Sequence, residues 1–282
     1  VDLKTTRWSV GVGDDSPIAT ITLSRPRRHN AWTGRMHTEL RHLLQRAEDE
    51  ASIQVVIITA DVEGQAFCPG ADAQALEGHA DRGGYDAGTP LDLAMPGYGT
   101  ADEFDADFAH LWGMETITIA AVNGAAAGVG LALACWCDLR VAISGVVWTT
   151  AHGKLNLPAE YGLSWILPRI IGQGRATDLL LTSRRFTSDE AFDLGLVNRL
   201  VDADSAGAAL ELARTLVGQV SPHALRATKR QLTADATHDD PSRSVRDAQR
   251  RLDQMMTEPD YREATAAFIE KRAPVWNKRP DS

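Results

Sequence analysis

Two short runs of small residues could do chemistry with their backbone. Ala66-Phe67-Cys68-Pro69-Gly70-Ala71-Asp72 comes a short turn after the apolar run 55–59, and Asn123-Gly124-Ala125-Ala126-Ala127-Gly128-Val129-Gly130 directly follows the run 116–122. In α/β sheets ligands sit at the carboxyl ends of strands, where glycines let a ligand approach the main chain closely. Taken singly, either run reads equally as a tight turn that only packs; two of them at successive strand ends point to a bound group held by backbone amides. The three cysteines suggest no comparable chemistry. Cys135 and Cys137 share a small-residue stretch, no His or Cys partner stands at zinc spacing, and no metal site is expected.

The elements that must position these runs follow from periodicity. Residues 8–12 and 18–23 read as a hairpin around a GDDSP turn. Thr33 is a plausible helix cap, after which Met36, Leu40, Leu43, Leu44 and Ala47 fall at helical spacing, and 55–59 reads as a buried strand. The rhythm recurs with a strand at 116–122, a small-residue helix at 128–137 and a strand at 139–143, which indicates a layered α/β body. Residues 78–107 are rich in Gly, Asp and Pro, with Leu91, Leu93 and Met95 as the larger apolar residues, and are expected to form a mobile surface insertion. Beyond about residue 202 the pattern is helical, with helices expected at 206–217, 222–232, 243–256 and 261–271. The expected organisation is therefore a core over 1–202 and a helical region over 203–282.

The bulk numbers agree with a soluble enzyme-sized fold. The chain has 282 residues, 44% hydrophobic and 24% charged, which suffices for a sizeable core. Its formal charge of −9 disfavours nucleic acid or an anionic membrane as the main partner, although a local basic pocket can still hold a polyanionic ligand. The start, VDLKTTRW, lacks the order of a signal peptide and no run approaches membrane-spanning length, so a reducing, cytoplasmic location is expected.

Taken with Ser24-Arg25-Pro26-Arg27-Arg28-His29-Asn30-Ala31 and Phe268-Ile269-Glu270-Lys271-Arg272-Ala273-Pro274, the two runs resemble the enoyl-CoA hydratase/isomerase family, the crotonases. That family shows RP-x-x-x-NA, F-[SC]-[AG]-G-[AG]-D, NG-x-x-x-G-G-G and a CD dipeptide, here Cys137-Asp138, and the order agrees along nearly the whole chain. The resemblance implies a ClpP/crotonase-like α/β spiral of ββα turns, closed by a C-terminal helical region that makes homotrimers, often paired into hexamers. It implies that the Ala71 and Val129 amides form an oxyanion hole for a thioester enolate, one such donor contributing about 10² to 10³ in rate. Pro69 stands where the family usually has Ala or Gly, which stiffens the turn without removing either amide. Candidate contacts to the acyl-CoA thioester are Arg28, His29, Ala31, Asp72, Ala73 and Gly128, with Phe268 and Lys271 reaching the CoA of a neighbouring subunit. Arg27 and Arg28 are cations suited to phosphates, with a solvated loop as the alternative. Asp72 and Asp138 also read as turn or cap residues. Coenzyme A would be part of the substrate, and no separate cofactor is implied.

Hydration in this family uses two carboxylates. Their positions here are Ala132 and His152, so neither is present. Glu160, in Leu157-Pro158-Ala159-Glu160-Tyr161-Gly162-Leu163-Ser164-Trp165, falls where isomerases of the family carry their single acid. An apolar pocket to which Leu157, Leu163 and Trp165 contribute would lift its pKa; the alternative is a first-turn Glu stabilised by the helix dipole. His152 is a candidate acid or base, or lines the pocket. The leading expectation is isomerisation of 3-enoyl-CoA to 2-enoyl-CoA through Glu160. The alternatives are an enoyl-CoA hydratase with an atypical acid/base, a non-catalytic acyl-CoA binding protein, and a decarboxylase or thioester hydrolase.

Overall fold

Strands buried on both faces read as near-continuous apolar runs, and this chain has two of them at its centre, interrupted only by Thr59 and Thr118. The computed structural model describes residues 2–73, 77 and 102–276. Strands β3 (Val55–Ala60) and β5 (Ile117–Val122) are buried at all six positions. They sit within a sheet ordered β1-β2-β3-β5-β7-β10, where β1 is Thr6–Val10, β2 Ile18–Leu23, β7 Leu139–Ile143 and β10 Arg199–Val201. All neighbours are parallel except β1 and β2, whose antiparallel register sets Thr6 opposite Leu23. The first strand thus ends two residues earlier than its apolar pattern suggests, because Gly11 already bonds back to Ile18.

The pleat of β3 divides the core. Val56 and Ile58 face helix α1 (Gly34–Asp49) through Met36, Leu40 and Leu44, and Thr33 caps that helix by accepting from the Met36 amide. Val55 and Ile57 face the opposite way, onto Ala209, Leu212 and Ala213.

A second, smaller sheet is ordered β4-β6-β8-β9, from Ala66–Cys68, Ala125–Ala127, Val147–Thr149 and Arg185–Thr187. Three times the chain leaves a strand of the large sheet and enters one of the small sheet within a few residues, from β3 to β4, β5 to β6 and β7 to β8. This repeated step is the spiral that the resemblance implies. The helices after α1 are α2 (His110–Gly113), α3 (Val129–Trp136), α4 (Leu163–Ile171), α5 (Gln173–Thr182), α6 (Ser188–Asp193), α7 (Ser205–Gln219), α8 (Pro222–Asp235), α9 (Pro241–Met255) and α10 (Pro259–Glu270).

Helix α7 supplies Ala209, Leu212 and Ala213, so the all-helical stretch begins inside the core. Helix α8 is tied down by Lys229, whose buried Nζ donates to the Leu111 and Thr116 carbonyls and to Asp138 at 2.7–2.8 Å. Asp138 also accepts from the amide and hydroxyl of Thr118, which ties the start of β7 to β5. Helix α9 buries none of its residues.

Of the insertion expected at 78–107, residues 78–101, with Leu91, Leu93 and Met95, lie outside the described residues. Its end differs from the surface loop expected there: Phe104 is buried, and Asp107 lies 3.2 Å from both His37 Nε2 and Arg41 Nη1 on α1. Among the described residues no helix is long and apolar enough to cross a membrane.

Candidate active site

The first turn leaves β4 through Pro69 and Gly70, and Gly70 has φ +115°. A single parallel bridge joins Ala71 to Trp32: the Trp32 amide donates to Gly70 O and the Asp72 amide donates to Trp32 O, both at 2.9 Å. These bonds use the groups that flank Ala71, so its own N–H faces away from Trp32. Pro69 takes no part in them, as expected.

The RP-x-x-x-NA segment frames this turn. Asn30, fully buried at φ +59°, donates to the Asp61 and Ala66 carbonyls and accepts from the Arg25 amide. The Arg25 guanidinium donates to Ala31 O and to Asp72 Oδ2 at 2.6 and 3.0 Å. Asp72, a candidate CoA contact from the sequence, is thus a buried carboxylate engaged by Arg25. The motif made Asn30 and Arg25 visible as letters, but their framing role needed the fold.

The second turn follows β5. Ala125 and Ala126 pair with β4, and Gly128 (φ +51°, ψ −116°) donates its amide to Thr149 O at 3.0 Å. Val129 is the first helical residue of α3, so its amide has no acceptor within the helix and stands at the positive end of the helix dipole. No backbone bond from the Ala71 or Val129 amide is found among the described residues. Gly130 locks the two turns together: a Cβ there would lie 2.2 Å from Cys68 O, so α3 rests directly on the end of β4. Ala132, one turn along α3, is buried among apolar neighbours.

The acid side starts where the chain leaves β8, which pairs with β6. Ala151 has φ +60°, a 3-10 turn spans His152–Leu155, and His152 is buried with no partner for its Nδ1 among the described residues. Glu160 follows, half-buried, and burial raises its carboxyl above the ordinary value, partly offset by its electrostatic interaction with His152. The two residues are thus electrostatic neighbours.

Tyr161 and Gly162 then take φ +51° and +70°, and the Leu163 amide donates to Glu160 O at 3.1 Å. Helix α4 starts only at Leu163, so Glu160 lies outside its first turn and the helix-dipole alternative does not apply. Leu163 is buried and Trp165 partly so, while Leu157 is 38% exposed among the described residues. Trp136, which the motifs do not single out, is buried, and its indole Nε1 donates to Tyr161 O at 2.7 Å.

The remaining candidates scatter. Arg28 and His29 are exposed on the 3-10 turn Pro26–Arg28, with His29 Nδ1 2.9 Å from Gly64 O. Ala31 is half-buried, and Ala73 is exposed just past the first turn. Phe268 is 86% exposed at the end of α10, followed by Lys271 at its C-cap, and within one chain the described contacts bring neither to the two turns. Cys68, Cys135 and Cys137 are buried free thiols, which burial pushes up to about 12.

The described residues thus offer two turns after β4 and β6 whose Ala71 and Val129 amides have no backbone acceptor among them, and a half-buried carboxylate on the stretch after β8. A family model described as enoyl-CoA hydratase/isomerase matches residues 13–279, and the chain belongs to that family. It is 33% identical over 269 residues to a Mycobacterium bovis protein named "Probable enoyl-CoA hydratase echA8", with 94% of this chain and 96% of that protein covered. It is 31% identical over 261 residues to the 1,2-epoxyphenylacetyl-CoA isomerase of Escherichia coli K12, covering 91% and 94% respectively. The crystal structure of an enoyl-CoA hydratase from Bacillus anthracis superposes with a TM-score of 0.83 at 26% identity, over 98% of this chain and all of that one.

Proposed function

We propose that this enzyme moves the double bond of a 3-enoyl-CoA to the 2 position, with Glu160 as the single proton carrier. The carboxylate takes a proton from C2, the electron pair passes to the thioester oxygen, and the Ala71 and Val129 amides receive the resulting charge. Glu160 then returns the proton to C4, which leaves the double bond between C2 and C3. Preorganised donors in a water-poor site favour such a charge far more than water does, and a positioned acid/base contributes about 10² to 10⁴.

The observation that carries this reading is the desolvated Glu160 in a site with alanine at 132 and histidine at 152. Its raised pKa makes the proton easier to hold and return near neutral pH. A relative named as an isomerase agrees with it. Arg28, with the main chain at His29 and Ala31, is assigned to the CoA nucleotide, and Ala73 and Gly128 to the thioester end. Phe268 and Lys271 would serve a neighbouring copy in a trimer. The exposed Val245, Leu252, Phe268 and Ile269 of α9 and α10 support such an assembly.

A second reading, hydration of 2-enoyl-CoA, is favoured by one observation: the buried, unpartnered His152 Nδ1 beside Glu160 is a place to hold a water. It also matches the name of the mycobacterial relative. The test follows absorbance of the conjugated thioester with 3-enoyl-CoA and 2-enoyl-CoA, for wild type, Glu160→Gln and His152→Ala. Isomerisation is expected to fall about 10³-fold in Glu160→Gln. A Glu160→Gln enzyme as fast as wild type on 3-enoyl-CoA would remove this mechanism. Tight CoA binding with no turnover of either substrate would make the protein a binder.

A further inference from the structure

Helix α3 has Val129 at one end and Trp136 at the other. The Trp136 ring, 4% exposed, stacks on Trp165 at 5.6 Å and 9° and meets the edge of Trp112 at 5.7 Å. Between these neighbours the indole cannot turn, so its N–H points one way, to the Tyr161 carbonyl at 2.7 Å. That carbonyl belongs to the residue after Glu160, within a reversal built from two consecutive positive-φ residues and closed by the bond from Leu163 to Glu160. The ring lies flush on this reversal, since a Cβ on Gly162 would come 2.9 Å from Trp136 Cζ2.

We propose that Trp136 is a positioning residue: its indole N–H, by fixing the Tyr161 carbonyl, holds the Glu160 carboxyl at a set distance from the Ala71 and Val129 amides. The proposal rests on the reading of Glu160 as proton carrier. An eight-residue helix is a stiff spacer about 11 Å long, rising about 1.5 Å per residue. One end of it presents an enolate donor, and the other holds the turn that carries the acid. Proton transfer needs heavy atoms about 3 Å apart, and a misplacement of about 1 Å costs on the order of 10²-fold. A free Tyr161 carbonyl would let the reversal relax and admit water to Glu160.

Trp136→Phe keeps a ring against Trp112 and Trp165 and removes the donor. With 3-enoyl-CoA, kcat is expected to fall about 10- to 100-fold with KM changed by less than about twofold. The acid limb of the kcat profile is expected to move down toward the ordinary carboxylate range, as Glu160 becomes hydrated. In a Glu160→Gln background the same substitution is expected to add less than about twofold, because the two act through one group.

Wild-type kcat and an unmoved acid limb in Trp136→Phe would overturn the proposal, as would full multiplication of the two effects. If Glu160→Gln itself runs at the wild-type rate, the reading of Glu160 fails; if it is slow while Trp136→Phe is fast, only the role of Trp136 fails. Should Trp136→Phe not fold by circular dichroism, Gly162→Ala keeps the indole N–H and pushes a methyl group against the ring. It is expected to give the same loss of kcat, lowered acid limb and non-additivity, and wild-type behaviour in it would count against the proposal.

Discussion

Around Ala71, Asn30 and Arg25 spend their hydrogen bonds on main-chain carbonyls and on Asp72, and Trp32 binds the turn from both sides. Around Glu160 the chain is held differently. Positive φ occurs in both halves, at His29 and Asn30 as at Ala151 and Tyr161, but here His152 Nδ1 is buried without a partner among the described residues and burial raises the half-buried Glu160 carboxyl. A non-glycine residue in the left-handed region costs about 1 to 2 kcal/mol. The contrast follows from what each half does in the proposed reaction. An oxyanion needs donors whose positions do not change, and a closed hydrogen-bond frame supplies that. A proton carrier needs a carboxylate that is not fully satisfied, because complete hydrogen bonding of its charged form would lower its pKa.

The substitution that cuts deepest into the framed half is Val129→Pro. Proline is at home as the first residue of a helix, so the change removes one amide donor and leaves α3 in place. It is expected to lower kcat about 10² to 10³-fold with little change in the unfolding midpoint. A rate within threefold of wild type would show that this amide does not serve the reaction.

Asn30→Ala strands two buried carbonyls and the Arg25 amide and is expected to cost about 3 kcal/mol in urea unfolding. A loss below about 1 kcal/mol would mean that the frame is not what holds the Ala71 turn. On the other half, the base form of Glu160 is required. Activity should therefore fall as pH drops through its pKa, with the midpoint of kcat above the ordinary glutamate value of about 4.3 because burial favours the protonated form. A midpoint at or below that value would place the carboxyl in water. The smallest effect is expected for Ala151→Gly, a gain of a few tenths to about 1 kcal/mol as left-handed strain is relieved against a more flexible unfolded chain.

Much of the frame was legible from residue types. β3 and β5 announce themselves because both faces are covered and all positions but Thr59 and Thr118 are apolar, and α1 because its stripe and its Thr33 cap agree. The small sheet was not legible. Ala125-Ala126-Ala127 has no strand propensity of its own and is extended only because β4 and β8 flank it. The two turns were readable from glycines and motif spacing. The environment of Glu160 was only partly readable: the apolar residues nearby suggested a pocket, but the helix starts only at Leu163, after the positive φ of Tyr161 and Gly162, and Leu157 is exposed among the described residues. The bond from Trp136 to Tyr161 spans 25 positions and depends on a ring orientation set by two other tryptophans, which no local pattern encodes.

The bond from Lys229 to Asp138 bears on the order in which the chain is made. Synthesis delivers Lys229 to Asp138 across 91 positions, after both sheets have left the ribosome. Until α8 arrives, Asp138 has the Thr118 amide and hydroxyl and the charge of the buried Arg140 beside it but no direct ion pair among the described residues, and the Leu111 and Thr116 carbonyls wait for the same ammonium group. The body that carries the active site is therefore completed by one of the last segments to be translated. A nascent chain halted before α8 would hold both turns of the site but lack the ammonium group that joins Asp138 to the Leu111 and Thr116 carbonyls.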